Sequence, residues 1–315
     1  MVACGLVENL ETRVNTIAAI RNLTYTGKEG VPSTVLGINY IVNPEAEAAK
    51  SIFGIIDRGV FHNVVITFNN SNLVLYNHYV HNKSVFAKQN VANCRNALKT
   101  EFVIAAIHRD GEGIVPSGNT VIYPGDTISI VAFDSDKETL FTLIGQQKLR
   151  PKKIIIVGGS KIARFLLRSF PVTFHKNITL VEQDFEVAET FANLFPHILV
   201  VQSDITDENI FEDERFSSYD LLISVTDNDE LNIITASYAK HVRVPRSIAL
   251  VKNNNNYVRL ASHMGINSVI SVSESTVDSL LKYMRGSHVS SVHSLFGGAF
   301  EIFEFIITPD SRVIG

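Results

Sequence analysis

Apolar residues fall into short runs closed by glycine or polar residues, and these runs alternate with segments of helical spacing. The clearest case starts at Lys152-Lys153, where Ile154-Ile155-Ile156-Val157 is a β-branched run closed by Gly158-Gly159. Ile162, Ala163, Phe165, Leu166 and Leu167 follow with helical spacing. Further strands are predicted over Ile178–Val181, Ile198–Val201, Leu221–Val225 and Ser247–Val251. Helices are predicted over Phe185–Phe195, from Asp207-Glu208, and over Asp229–His241 with Leu231, Ile234, Ala236 and Tyr238 inward. A last helix opens at Ser273-Glu274 and stops at Arg285-Gly286. Strand and helix in alternation predict a mostly parallel sheet with right-handed crossovers.

The N-terminal part reads differently. Val2–Leu10 has the pattern of the tail of a helix, and Thr16–Ile20 and Gly37–Val42 read as strands. Asn43-Pro44-Glu45 starts a helix, with proline in the first turn, that stops at Gly59. Thr16–Asn22 resembles Ser247–Asn253, and Gly37-Ile38-Asn39 recurs as Gly265-Ile266-Asn267, at an offset of roughly 230 residues. The second copy has a long stretch before this point that includes the glycine turn, and the first does not. The expectation is a first unit without its front half, in a chain that is a fragment or the product of a truncated gene.

From Phe61 to about Gly145 the pattern is β-rich. Val64–Phe68 and Leu73–Tyr76 flank Asn69-Asn70-Ser71-Asn72 as a hairpin. Phe102–Ile107 and Thr127–Phe133 are further strands, with turns at Asp110–Gly113, Pro116–Gly118 and Pro124–Asp126. Val289–Ile307 reads as another hairpin around Gly297-Gly298. The expected fold class is α/β, with Rossmann-like parallel units alternating with small β-rich α+β domains. The expected boundaries are 1–59 for half of a first unit, 60–150 for a β-rich domain and linker, 151–286 for a complete nucleotide-binding unit, and 287–315 for the start of a second β-rich domain.

Composition narrows the function class. The chain has 315 residues, 45% of them hydrophobic, and a net charge of −4, with no basic patch interleaved with aromatics that would point to nucleic acid. Cys4 and Cys94 make no metal spacing and no disulfide framework, which fits a reducing cytosol. Glu8 and Glu11 interrupt any signal-peptide core, and no run approaches the roughly 20 apolar residues of a membrane helix.

The candidate chemistry sits at the strand ends. A strand, a glycine turn and a helix start make a phosphate site, because backbone N–H groups and the helix dipole face the anion. Against the G-x-G-x-x-G ideal, the chain reads Gly158-Gly159-Ser160-Lys161-Ile162-Ala163, with serine at the second glycine and alanine at the third. Glu182 ends the next strand, where an acid binds both ribose hydroxyls of an adenosine and repels a 2′-phosphate, which disfavours NADP. Ser203-Asp204 and Thr226-Asp227-Asn228 end the two strands after it.

These residues, with Val181-Glu182-Gln183-Asp184, Ser203–Asp207, Thr226–Asn232, Val289–Glu304 and Ile107–Gly111, resemble the RCK family. Its members are built from TrkA-N and TrkA-C domains and act as cytosolic regulators of bacterial potassium uptake. The resemblance covers nearly the whole chain. It implies a non-enzymatic regulatory subunit that binds NAD(H) or ATP/ADP and is peripheral on the inner face of the plasma membrane. Its implied partners are a membrane-embedded potassium-transporting subunit and further copies of itself. It also implies that Gly158, Gly159, Ser160 and Ile162 contact phosphate and that Glu182 holds the ribose beside Gln183. Asp204 and Ile205 would lie by the adenine, and Thr226 and Asp227 near the phosphate-side cleft. The chain departs from the family at Ser160, which crowds a pyrophosphate, and at Ala163.

Lys161 and Lys252 are either phosphate ligands or solvated lysines. The His288 and His293 pair faces opposite sides of a strand and is a poor metal site. Cys94 has no base partner. Asp227-Asn228-Asp229-Glu230 lacks the glycine and later glutamate of a calcium loop and reads as a helix cap. The alternatives are an NAD-dependent oxidoreductase, or the nucleotide-sensing tail of another cation channel or antiporter. The first needs an acid/base group over the nicotinamide, and the sequence places none.

Overall fold

A computed structural model of the chain describes residues 3–4, 6–7, 14–21, 37–59, 65–68, 71–97, 101–136, 139–140, 142, 150–207, 214–252, 256–262, 264–284, 289–296, 299–305 and 307. Contacts divide it into two units: residues 1–57 with 150–283, and residues 58–149 with 284–315.

Near the N-terminus, Ala3, Cys4, Leu6 and Val7 are helical. Strands β1 (Ile17–Ala19) and β2 (Tyr40–Val42) pair in parallel, and helix α1 (Pro44–Arg58) follows at once. Thr16 donates its backbone N–H to Asn39 Oδ1 at 2.7 Å. Asn43 caps α1 by accepting from Ala46 N–H at 2.8 Å.

The second unit holds β3 (Val65–Thr67), β4 (Leu73–Tyr79), the short helix α2 (Val91–Ala97), β5 (Phe102–Arg109), β6 (Glu112–Ile114) and β7 (Thr127–Phe133). They form an antiparallel sheet in the order β3-β4-β7-β5-β6. Alternating inward residues fill its core, where Tyr76, Phe86, Ile107, Ile128 and Ile130 are fully buried. The Pro-Gly-Asp turn is fixed by Asp126, which accepts two hydrogen bonds from Arg109 at 2.8 Å each and one from Tyr123 N–H.

The first unit continues with β8 (Ile154–Val157), α3 (Lys161–Ser169), α4 (Val172–His175), β9 (Ile178–Glu182), α5 (Phe185–Leu194) and β10 (Leu199–Gln202). Then come β11 (Leu221–Ser224), α6 (Asp229–Tyr238), β12 (Ser247–Val251), α7 (Asn256–Ser262), β13 (Ser268–Ser271) and α8 (Val272–Met284). The strands make one parallel sheet in the order β10-β9-β8-β11-β12-β13. That is the doubly wound order, with its reversal between β8 and β11. β8, β11 and β12 are buried along their whole length, as strands covered by helices on both faces must be.

The two strand–strand–helix segments share local chemistry as well as sequence. Ser247 N–H donates to Asn267 Oδ1 at 2.7 Å, as Thr16 does to Asn39. Ser271 caps α8 through Glu274 N–H, as Asn43 caps α1. Within the unit, Ser51 of α1 meets Ser275 of α8 at 3.1 Å, and Phe53 stands edge-on to Phe170.

Strands β14 (Val289–Leu295) and β15 (Phe300–Phe305) pair antiparallel. In their unit Leu295 joins Ile66 and Leu75 in an apolar cluster, and His293 stands edge-on to Phe68.

One expectation is corrected. Ile234 and Tyr238 of α6 do not face inward: they are 60% and 44% exposed. The buried residues are Asp229, Asn232, Ile233, Thr235 and Ala236. Three of the five are polar, and Asp229 and Asn232 bond into the strand ends, so apolar spacing alone points to the wrong face. Beyond Asp207, the helix expected from Asp207-Glu208 lies outside the described residues, as does His288.

Candidate functional site

The site lies at the carboxyl ends of β9, β8, β11 and β12, around the point where the strand order reverses. β8 leaves the sheet through Gly158, whose φ is +99°. A Cβ there would come within 2.8 Å of the Thr226 backbone, so both conformation and space require glycine. A Cβ on Gly159 would lie 2.6 Å from Val187 Cγ1 and 3.0 Å from Glu182 Oε2. The turn is therefore pressed between the β11 end on one side and α5 with Glu182 on the other.

Ser160 is the N-cap of α3, with φ −79° and ψ 169°, and its hydroxyl accepts from Ala163 N–H at 3.3 Å. The serine thus satisfies one of the helix-start donors that an incoming phosphate uses. Lys161 is exposed on the first turn. The Ile162 side chain is fully buried, so only its backbone can reach an anion.

Glu182 reaches back to the turn. Its Oε2 accepts from Gly159 N–H at 2.5 Å and its Oε1 from Asp184 N–H at 2.9 Å. Gln183 has an exposed side chain and gives its carbonyl to Gln202 Nε2. Asp204 bonds the backbone and hydroxyl of Thr206, both at 2.8 Å, and these bonds hold its carboxyl below the usual range. Ile205 is 5% exposed and packs in the apolar cluster with Val181 and Phe216, so its side chain belongs to the core.

On the other side of the turn, Thr226 is held by Asn232, which has no exposed surface. Asn232 Oδ1 accepts from Thr226 N–H at 2.8 Å, from Thr226 Oγ1 at 2.7 Å and from Ser224 Oγ at 3.0 Å. Its Nδ2 donates to the carbonyls of Thr226 and Leu250, each at 3.1 Å. Asn228 caps α6 by accepting from Leu231 N–H. Asp229, almost fully buried, accepts the backbone N–H of Lys252 at 2.8 Å. The Lys252 ammonium pairs with the exposed carboxylate of Asp227.

The sequence-predicted residues therefore share one edge of the sheet: Glu182 at β9, the glycines at β8, Thr226 and Asp227 at β11, and Lys252 at β12. Asn232 and Asp229 complete the edge. Pattern reading missed them because it treats a polar residue in a helix as solvent-facing. The signal was their spacing of three on the face that also carries Ile233 and Ala236. An open groove of about 740 Å³ in the second unit, lined by Leu73, Arg95, Glu101 and Phe133, contains none of these residues. Among the described residues no cluster of His, Cys, Asp and Glu could hold a metal ion.

The residues present fit an adenosine phosphate. They supply two glycines where side chains cannot enter, a helix start, and a carboxylate whose remaining lone pairs suit ribose hydroxyls.

Residues 154–272 match the TrkA-N domain family and residues 75–145 the TrkA-C domain family. The chain thus carries one region similar to each of these two domains. Among curated relatives, the Trk system potassium uptake protein TrkA of Halomonas elongata is 26% identical over the whole chain and 69% of its own length. The protein of the same name from Vibrio alginolyticus is also 26% identical, with the same coverage. Among solved structures, the GsuK RCK domain aligns with 89% of this chain and 58% of its own at TM-score 0.56 and 18% identity. The GsuK channel bound to NAD aligns at TM-score 0.55 and 18% identity, over 89% of this chain and 48% of its own. At that identity the likeness concerns the fold.

Proposed function

We propose that this chain is a nucleotide-binding regulatory subunit of a Trk-type potassium uptake system, non-enzymatic and working at the cytoplasmic face of the membrane. It takes an adenine nucleotide, NAD(H) or ATP/ADP, at the β8 turn and passes its occupancy to a membrane-embedded potassium-transporting partner. Gly158, Gly159, Ser160, Lys161 and the backbone of Ile162 face the phosphates. Glu182 holds the ribose, with Gln183, Asp204 and the Ile205 backbone bordering the adenine. Thr226, Asp227 and Lys252 form the far end.

One observation carries the reading. The ribose acid and the glycine turn are already in contact, through Glu182 and Gly159, at the switch point of a doubly wound sheet. Similarity over the whole of this chain and 69% of theirs to proteins named for potassium uptake supports the physiological role. The NAD-bound GsuK channel supports a nucleotide for this fold. No described helix is long and apolar enough to cross a membrane. Exposed Ile234, Tyr238, Leu260 and Met264 on or beside α6 and α7 offer apolar surface for assembly into homo-oligomers.

The test is sedimentation of the chain with and without NADH, NAD, ADP and ATP, alongside an assay for NADH consumption. A nucleotide-dependent change in assembly with no turnover supports a regulator. Steady hydride transfer to any acceptor overturns it in favour of an oxidoreductase.

A further inference from the structure

Lys252 is anchored at its base and loosely held at its head. Its backbone N–H is fixed by the buried carboxylate of Asp229 at 2.8 Å, and its side chain is only 20% exposed. Its ammonium pairs with Asp227, whose side chain is 91% exposed. An ion pair with one partner so fully in water is weakly held and screened by salt, because solvent competes for the carboxylate. A better anion can displace Asp227 without rebuilding anything else.

The position of the pair defines that anion. Along the sheet edge the order is β9, β8, β11, β12, and neighbouring strands lie about 4.8 Å apart, so Glu182 and Lys252 stand roughly 14 Å from each other. A ribose at Glu182 puts the first phosphate at the β8 turn. The next groups along the nucleotide then run past Thr226 toward β12. In ADP and ATP those groups are anionic phosphates that end the molecule. In NAD the second phosphate is esterified to another nucleoside, which is neutral at that reach or carries the nicotinamide cation. Ser160 works in the same direction. Its hydroxyl occupies Ala163 N–H, which leaves fewer donors for a pyrophosphate held at the turn and gives more weight to a cation further on.

We propose that Lys252 and Asp227 form a counter-ion exchange that reads the terminal phosphate, so that the site prefers adenosine di- and triphosphates to NAD. Lys252 leaves Asp227 for the terminal phosphate, and Asp227, released, turns into solvent. This rests on the nucleotide site proposed above and specifies its ligand class.

The experiment is calorimetric titration with AMP, ADP, ATP and NAD. Wild type, Lys252→Met, Lys252→Arg and Asp227→Asn are compared, with matched circular dichroism spectra as the folding control. Loss of one charge-assisted contact predicts about a tenfold weaker ATP affinity in Lys252→Met, with AMP and NAD within about twofold of wild type. Lys252→Arg retains most of the preference. Asp227→Asn binds ATP several-fold more tightly, because the competing carboxylate is gone. Unchanged ATP affinity in Lys252→Met, or equal weakening of AMP, NAD and ATP, overturns the exchange while leaving the nucleotide site intact. Failure of the wild type to bind even AMP and ATP overturns the site itself.

Discussion

Glu182 Oε2 accepts the backbone N–H of Gly159 at 2.5 Å, which joins the end of β9 to the turn that leaves β8. A carboxylate has about four lone-pair sites, so this bond and the one from Asp184 N–H leave room for ribose hydroxyls. Under the proposed function the acid is oriented before a ligand arrives, and part of the ordering cost of binding is already met.

Gly159→Ala tests that arrangement. The added Cβ would sit 3.0 Å from Glu182 Oε2 and 2.6 Å from Val187 Cγ1, so either the carboxylate or α5 must move. The expected result is a nucleotide affinity at least about tenfold weaker, with a stability loss of about 1–3 kcal/mol for overpacking. Gly158→Ala is the harsher change, since a strained φ is added to a backbone clash with Thr226. Denaturant unfolding is expected to give about 2–4 kcal/mol for it.

Ser160→Gly separates two readings of the altered fingerprint. As an N-cap, serine exceeds glycine by only a few tenths of a kcal/mol, so the melting temperature should barely move. The substitution also frees Ala163 N–H and removes a side chain from the phosphate path, so nucleotide affinity should rise. Ser160→Ala removes the cap without the family glycine and should cost about 1 kcal/mol. A fall in affinity in Ser160→Gly would mean that the hydroxyl itself contacts the ligand.

Asn232→Leu removes a buried side chain that makes five hydrogen bonds between β11, the Thr226 turn and β12. Several backbone and hydroxyl groups are left unpaired in an interior position. The expected cost is about 3–5 kcal/mol by chemical denaturation, with nucleotide affinity lost along with the position of Thr226. Asn232→Asp keeps the acceptor and loses the donor, and should fall between Asn232→Leu and wild type.

The second unit should carry its own pH dependence through His78. Burial, then the nearby His81 charge, lower its pKa from 6.5 to about 4, and its ring is 3.2 Å from Ser84 Oγ and tilted against Phe86. The unfolded chain takes up a proton near pH 6.5 and the folded chain only near 4, so stability is full above 6.5 and falls between 6.5 and 4. The span amounts to roughly 3 kcal/mol, and His78→Phe should flatten that part of the unfolding profile.

Much of this was readable from spacing. Ile154–Val157 with Gly158-Gly159, and Glu182 at the next strand end, pointed to the parallel unit and to its candidate site, because backbone geometry there admits few residue types. The internal repeat was readable through residues that prove to be paired, Thr16 with Asn39 and Ser247 with Asn267. What spacing could not give was the buried polar stripe of α6. A hydrophobic pattern finds Leu231, Ile234 and Tyr238, whereas the helix is oriented by Asp229 and Asn232, whose burial is tolerated because their bonds are met in the tertiary fold. Ile205 is placed by the adenine through the resemblance alone, and its side chain packs in the core, which leaves its backbone for that role.

Calorimetric titration of wild type and Glu182→Ala with NADH, NAD, ADP and ATP tests the central claim most directly. Saturable binding of an adenine nucleotide by the wild type, weakened at least about tenfold by Glu182→Ala, is the predicted result, since hydrogen bonds to a charged group contribute about 1.5–3 kcal/mol. Binding that Glu182→Ala leaves unchanged, or no binding of any of the four, would contradict a nucleotide site at the β8 turn.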